Sequence, residues 1–154
     1  MGGPGQPQLR PVVELPHTDR HERAVGLSLP ARPENVAVVR RVLSAFARSL
    51  HLDQRLVDDM RLAVTEACTN VVRHAYPGDE VGTIDVTVTP TDDAVYVVVG
   101  DRGRGIGAST DARGPGLGLA LIAAIVESLE IEQAPDAGSR VAMSFARRRH
   151  EAAA

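Results

Sequence analysis

Strand-forming segments occur in adjacent pairs along this sequence, which limits the folds that the chain can adopt. Residues 83–89 alternate polar and apolar side chains, and residues 94–99 follow them after an Asp92-Asp93 turn. The apolar content of residues 94–99 predicts burial on both faces of that strand. Residues 129–133 and 140–145 form the second pair. Paired strands, unlike strict strand–helix alternation, favour an α+β sandwich with helices on one face of the sheet.

Two amphipathic helices follow a first predicted strand, residues 24–29. In the first helix, apolar side chains recur at three- and four-residue steps from Pro33, a residue suited to a first helical turn. Asp53 is the predicted N-cap of the second helix, which reaches about Ala75 before the Tyr76-Pro77-Gly78 stop signal. With a third, apolar helix later in the chain, the predicted order is β-α-α-β-β-α-β-β. The core-facing residues would be Val36, Val39, Leu43, Phe46 and Leu50, then Leu56, Met60, Ala63, Ala67 and Val71.

The chain of 154 residues fits one domain with short extensions. Residues 1–23 are rich in Gly, Pro, Gln and Arg and predict a flexible arm, residues 24–147 the domain, and residues 148–154 a tail. The arm lacks the apolar middle of a secretory signal, and no apolar run approaches the ~20 residues of a membrane span. We therefore expect a cytoplasmic protein that does not bind membranes. A net charge of −3 gives no general attraction for nucleic acid.

The composition excludes several kinds of chemistry. All 17 basic residues are arginine, so a Walker A loop, a protein kinase of the common eukaryotic type and Schiff-base catalysis are ruled out. Any phosphate must be held by backbone N–H groups, a metal or Arg. The single cysteine, Cys68, excludes a disulfide framework and a multi-cysteine zinc site. It lies beside the core stripe of the second helix and is interpreted as a buried small hydrophobe.

A polar stripe on the second helix is the first candidate site. Glu66, Asn70 and Arg73 lie at i, i+4 and i+7, within an arc of about 60° at 3.6 residues per turn. The alternative interpretation is a solvent-exposed helix face on which these side chains form ordinary i,i+3 or i,i+4 pairs. However, Asn is uncommon in the interior of a helix unless it has a specific role there.

Two glycine-rich segments between residues 100 and 118 are the second candidate. Asp101 follows a strand and precedes Arg102-Gly103-Arg104-Gly105, where a plain Asp-Gly turn is the alternative. Gly114-Pro115-Gly116-Leu117-Gly118 opens the third helix, predicted from Leu117 to Ser128, and free N–H groups at a helix start favour an anion. These glycines do not form a Rossmann dinucleotide-binding fingerprint, because that motif follows a strand and the preceding residues 109–113 do not have a strand pattern.

In this order and spacing, the motifs resemble those of the GHKL ATPases, which have a histidine-kinase-like ATPase domain. Residues 66–75 resemble the N box, residues 101–105 the G1 box, and residues 114–119 the G2 box. Residues 138–141 look like the usual Gly-Thr/Ser segment before the last strand. The resemblance covers roughly residues 24–146. It implies a Bergerat-type two-layer sandwich with a mixed, mostly antiparallel sheet.

Within that superfamily, the chain looks most like the anti-sigma-factor serine/threonine kinases. It is short and stands alone, a strand and a helix precede the N box, and the stretch between the two Gly boxes is brief. Glu66-Ala67-Cys68-Thr69-Asn70 also has their Glu-Ala-x-x-Asn form. The resemblance implies a homodimer that binds a sigma factor and phosphorylates an anti-anti-sigma antagonist on Ser or Thr.

The resemblance also implies a role for each site residue. Glu66 would be the general base, and Asn70 would hold Mg²⁺ through its side-chain oxygen. Asp101 would accept a hydrogen bond from the adenine amino group of ATP. Gly103 and Gly105 would let the backbone approach the nucleotide. The remaining implied nucleotide contacts are Arg73, Ile106, Gly114, Gly116, Leu117, Gly118, Leu119 and Ser139.

Three alternatives stay open at the level of sequence. The chain could sequester a partner in an ATP-dependent way without transferring phosphate. It could also be a detached histidine-kinase-like catalytic domain, since Gly-Pro-Gly-Leu-Gly-Leu-Ala also resembles the G2 box of sensor histidine kinases. The arm before the first strand is, however, too short for their helical hairpin. The third alternative is an α+β domain with coincidental glycines.

Overall fold

The described part of the chain has strands and helices in the predicted order. The computed structural model describes residues 24–104, 116–134 and 137–147. The elements are β1 (Val25–Pro30), α1 (Pro33–Ser49), α2 (Gln54–Asn70), a π-helix (Val71–Ala75), β2 (Thr83–Pro90), β3 (Ala94–Asp101), α3 (Gly116–Ile125), β4 (Ser128–Ala134) and β5 (Gly138–Ala146).

The starts of α1 and α2 follow from the residues at their N-termini. Pro33 lies in the first turn of α1, where its fixed φ is favourable and its missing N–H has no helical partner to lose. Asp53 caps α2 by accepting a hydrogen bond from the Arg55 N–H at 3.2 Å. Both predicted starts are therefore confirmed.

The strands form one five-stranded sheet in the order β1-β2-β3-β5-β4. All four pairings between the described strands are antiparallel. The α+β class is confirmed, and the parallel pairing that a mixed sheet would allow does not occur within these ranges. β3 lies at the centre, which places its end far from both edges of the sheet.

One hydrophobic cluster joins α1, α2 and α3 to one face of the sheet. In β2, for example, Ile84, Val86 and Val88 are buried, whereas Thr87 on the opposite face is exposed. α2 packs against α1 and α3 and contacts β3 and β5. Its apolar side therefore belongs to the core, and the polar edge of the helix borders it. The largest side chains with less than 2% exposure include Phe145, Met60, Ile84, Ile122 and Met143.

Two predictions about individual elements are wrong. β3 is not buried on both faces: Val95, Val97 and Val99 are buried, but Tyr96 and Val98 are only half-buried because the described helices cover one face of the sheet.

The third helix also ends earlier than predicted, at Ile125 rather than Ser128. The Glu127 N–H donates to the Ser144 carbonyl at 2.8 Å, and the Ser128 and Ser144 hydroxyls lie 2.6 Å apart. Pairing with β5 therefore draws Ser128 into β4, because the chain gains sheet hydrogen bonds that a longer helix would give up.

The start of β5 lies against the end of β3, with Ser139 paired to Asp101. Gly138 has a φ of +90°, and a Cβ at this position would lie 1.9 Å from the Asp101 carbonyl oxygen. Only glycine fits here, because both the left-handed backbone and the close approach exclude a side chain.

We expect Gly138→Ala to lower the free energy of unfolding by about 2 kcal/mol or more, the cost of strained backbone, with the steric clash added. Gly26→Ala is the matched control, since Gly26 is an exposed strand glycine and a Cβ at its position would have no neighbouring atom within 4 Å. Urea unfolding of both variants measures the difference. Equal stabilities would contradict the steric account of Gly138.

Candidate functional site

Glu66 and Asn70 lie one turn apart near the end of α2, beside the first turns of α3. Asn70 is buried, with 6% exposure, and its Nδ2 has no hydrogen-bond partner among the described residues. A Cβ on Gly118 of α3 would lie 3.0 Å from Glu66 Oε2 and 3.6 Å from Asn70 Nδ2. A buried amide without a partner is costly, so this cradle fits a ligand that contacts Asn70.

Asp101 ends β3 as a buried carboxylate, with 5% exposure. Its Oδ1 accepts a hydrogen bond from the Gly103 N–H at 2.9 Å, and its Oδ2 accepts one from the buried Ser139 hydroxyl. An ionised carboxylate has about four acceptor positions. These two bonds therefore fix its orientation and leave acceptor capacity for an amino group of a ligand.

The structure gives a reason for glycine at position 103 that is independent of the predicted nucleotide contact. A Cβ here would lie 2.0 Å from the Ala75 carbonyl oxygen, and the next residue, Arg104, donates its N–H to that same oxygen at 2.7 Å. The missing side chain lets the turn after β3 approach the end of the π-helix. A direct nucleotide contact by Gly103 stays a prediction.

Arg73 lies beyond the α-helical part of the second helix, in a segment with different helical geometry. The α-helical part ends at Asn70, and Val71–Ala75 form a π-helix, whose i→i+5 bonds widen the turn. The spacing that would align Arg73 with Glu66 therefore does not apply, and Arg73 is exposed. Its contact with phosphate stays a prediction.

The other predicted nucleotide contacts are distributed around α3. Gly116 is the first residue of the helix, Leu117 is 89% exposed, and Leu119 packs partly against the core. Gly105, Ile106 and Gly114 lie outside the described residues.

The donor set at the site fits a magnesium ion held jointly with phosphate. No three His, Cys, Asp or Glu side chains of the described ranges cluster as a metal site would require. Mg²⁺ characteristically keeps few protein ligands and takes its other oxygens from substrate phosphates and water. The Asn70 side chain, next to the start of α3, has an amide oxygen that would bind such an ion and an unpartnered Nδ2 that would donate to a phosphate oxygen.

Comparison with known proteins decides the family. A sequence profile of the histidine kinase-like ATPase domain matches residues 29–145. A serine-protein kinase RsbW from Halalkalibacterium halodurans is 33% identical over 135 residues, which cover 78% of this chain and 81% of the relative. The chain belongs to the histidine kinase-like ATPase family. The resemblance to GHKL anti-sigma kinases is thereby confirmed.

Further matches agree with this family of ATPases. A serine-protein kinase RsbW from Bacillus licheniformis is 28% identical over 135 residues, covering 78% of this chain and 83% of the relative. The crystal structure of the RsbU and RsbW domains of Rv1364c from Mycobacterium tuberculosis has the same fold, with a TM-score of 0.67 at 24% identity. The match covers 82% of this chain and 33% of that longer one. No described helix has the length and apolar content of a membrane span.

Sequence reasoning misses the role of the segment that follows the N box of this histidine kinase-like ATPase. The sequence marks Tyr76 as part of a helix stop signal and as the last residue of Arg73-His74-Ala75-Tyr76, which continues the family motif. It does not show that the Tyr76 hydroxyl bonds both to Thr83 and to Arg102 in the turn after β3. The contact joins residues 26 positions apart. The sequence offers one signal for this contact, an aromatic residue with a polar tip directly after the N box. A single residue has no periodic pattern, so its long-range partner cannot be predicted.

Cys68 lies between Glu66 and Asn70 in sequence but faces the core, with 0% exposure. Burial raises the pKa of its thiol to about 12, because a thiolate would lose its hydration. The interpretation of Cys68 as a buried hydrophobe is confirmed.

We expect native protein at neutral pH to react slowly or not at all with a thiol reagent, because the thiolate is the reactive form. The same reagent should modify Cys68 fully after unfolding in denaturant. Absorbance of the released chromophore measures both rates. Rapid modification of folded protein would contradict the buried, neutral thiol.

Proposed function

We propose that this chain is an ATP-dependent serine/threonine protein kinase that also acts as an anti-sigma factor. It would bind a sigma factor and phosphorylate an anti-anti-sigma antagonist protein. We further propose that it works as a homodimer in the cytoplasm. The RsbW relatives, named as serine-protein kinases, support the reaction class.

The observation that carries the proposal is the meeting of three elements at one end of α2. Glu66 and Asn70 come from the helix, and Gly118 brings the start of α3 against them. The turn that holds Asp101 is bonded to Ala75, five residues after Asn70. Groups suited to an adenine ring, to phosphates and to proton transfer are thus held by one helix and its neighbours.

In the proposed mechanism, each residue has one task. Asp101 accepts the hydrogen bond of the adenine amino group, and the N–H groups at the start of α3 face the phosphates. Asn70 would hold Mg²⁺ through its side-chain oxygen, and the ion would offset negative charge on the phosphates. Glu66 removes the proton from the acceptor hydroxyl. That hydroxyl oxygen then bonds to the γ-phosphorus, the bond to the β-phosphate oxygen breaks, and ADP leaves.

A carboxylate at position 66 favours this proposal over a sequestering module, because a module that only holds ATP needs no general base. A histidine acceptor would be distinguished by the product. Phosphohistidine is lost in acid, whereas phosphoserine and phosphothreonine survive.

We expect Glu66→Gln to lower the rate of phosphate transfer by about 100-fold or more, the usual share of a general base. ATP affinity should stay within about twofold, since the amide keeps the size of the side chain. Transfer from labelled ATP to the cognate antagonist measures the rate, and titration calorimetry the affinity.

Glu130→Gln is the matched control, because Glu130 is exposed on β4, on the sheet face away from the helices. It should transfer phosphate at the wild-type rate. Wild-type transfer by Glu66→Gln would remove Glu66 from the reaction. An acid-labile product would instead favour a histidine acceptor.

A further inference from the structure

The hydroxyl of Tyr76 has its full complement of hydrogen bonds. It donates to the Thr83 carbonyl at 2.7 Å, and it accepts from the Thr83 N–H at 3.1 Å and from the Arg102 N–H at 3.0 Å. A phenol has one donor and two acceptor positions. All three are used, and they connect the residue after the π-helix, the start of β2 and the turn after β3.

The ring of Tyr76 is held in place by a glycine. A Cβ on Gly82 would lie 1.9 Å from ring atoms Cε1 and Cζ, so only a residue without a side chain lets the ring lie against this backbone. The ring is half-buried and packs against the hydrophobic core. Packing of the ring therefore fixes the position of the hydroxyl.

The turn that begins at Asp101 is held through three successive N–H groups. The Arg102 N–H donates to the Tyr76 hydroxyl, the Gly103 N–H to Asp101 Oδ1, and the Arg104 N–H to the Ala75 carbonyl. Two of the three acceptors, the Tyr76 hydroxyl and the Ala75 carbonyl, lie in the segment that directly continues the helix carrying Glu66 and Asn70. The side chain of Arg102 adds little, because it is 84% exposed and its Nε lies 4.0 Å from Asp85.

We propose that Tyr76 is a positioning residue for recognition of the nucleotide base. Its hydroxyl fixes the backbone directly after Asp101, so that the carboxylate presents its free acceptor positions in one orientation relative to the helix. The inference rests on the proposed function, in which Asp101 reads the adenine amino group. Tyr76 acts through Asp101 and does not itself touch the nucleotide.

The decisive comparison is between ATP and ITP, whose base has a carbonyl in place of the amino group. Wild-type protein should bind ATP more tightly than ITP. In Tyr76→Phe the ring still packs against Gly82, but the Arg102 N–H and the backbone N–H and carbonyl of Thr83 lose their bonds to the hydroxyl. We expect about a fivefold loss of ATP affinity, the size of one net hydrogen bond, with ITP affinity unchanged. The preference for ATP therefore shrinks.

Tyr96→Phe is the matched control. Tyr96 is the other of the two tyrosines and lies half-buried on the face of the sheet opposite the helices. Its replacement should leave both affinities unchanged. Titration calorimetry gives the six dissociation constants, for wild type and both variants with each nucleotide, measured where circular dichroism shows all three proteins folded.

Each outcome supports or overturns the inference. A smaller preference for ATP in Tyr76→Phe alone supports it. An equal loss for both nucleotides, or no loss, overturns it and leaves the kinase proposal standing. Wild-type protein that binds neither nucleotide overturns both.

A second measurement does not depend on the stability of the variant. In wild-type protein, the Arg102 amide should exchange its hydrogen more slowly than the exposed amides of the 78–81 loop, because it is bonded to Tyr76. Exchange of Arg102 as fast as that of the loop would overturn the inference.

Discussion

The buried carboxylate of Asp101 is the constraint on which the rest of the site depends. A carboxyl group with 5% exposure is costly to bury unless hydrogen bonds replace those it made with water. The Ser139 hydroxyl and the Gly103 N–H supply those bonds. To bring Ser139 there, β5 must begin against the end of β3, and only glycine fits at position 138. The buried acid thus links the turn after β3 to the start of the last strand.

The same end of the molecule shows how α2 serves the core and the site together. Its apolar residues, such as Met60 and Ala67, are buried in the cluster that joins the helices to the sheet. Asn70 is buried beside them with an amide nitrogen that has no partner among the described residues. Such a group lowers the stability of the free protein. Its position is explained if a ligand accepts a hydrogen bond from it, as a phosphate oxygen of the proposed Mg²⁺–ATP complex would.

The sequence contains the signals that depend on neighbours along the chain. Pro33 and Asp53 mark two helix starts, and alternation marks β2. The features it cannot predict depend on contacts between distant segments. The π-helix after Asn70 leaves no mark in a 3.6-residue pattern, so the α-helical arc cannot be extended to Arg73. Gly103 is a glycine because of Ala75, a residue 28 positions earlier in the sequence. The family motifs point to the end of α2 and the start of α3, and the tertiary contacts supply physical reasons for several of the residues there.

The central claim is that one end of α2 holds Mg²⁺–ATP through Asn70. It is tested most directly by calorimetric titration of wild-type protein and Asn70→Ala with ATP, each with and without Mg²⁺. The account predicts tight binding to wild type that depends on magnesium, and loss of the magnesium-dependent part in the variant. Binding of Mg²⁺–ATP to Asn70→Ala as tightly as to wild type would contradict the role of Asn70. Absence of ATP binding by wild-type protein would contradict the nucleotide site itself.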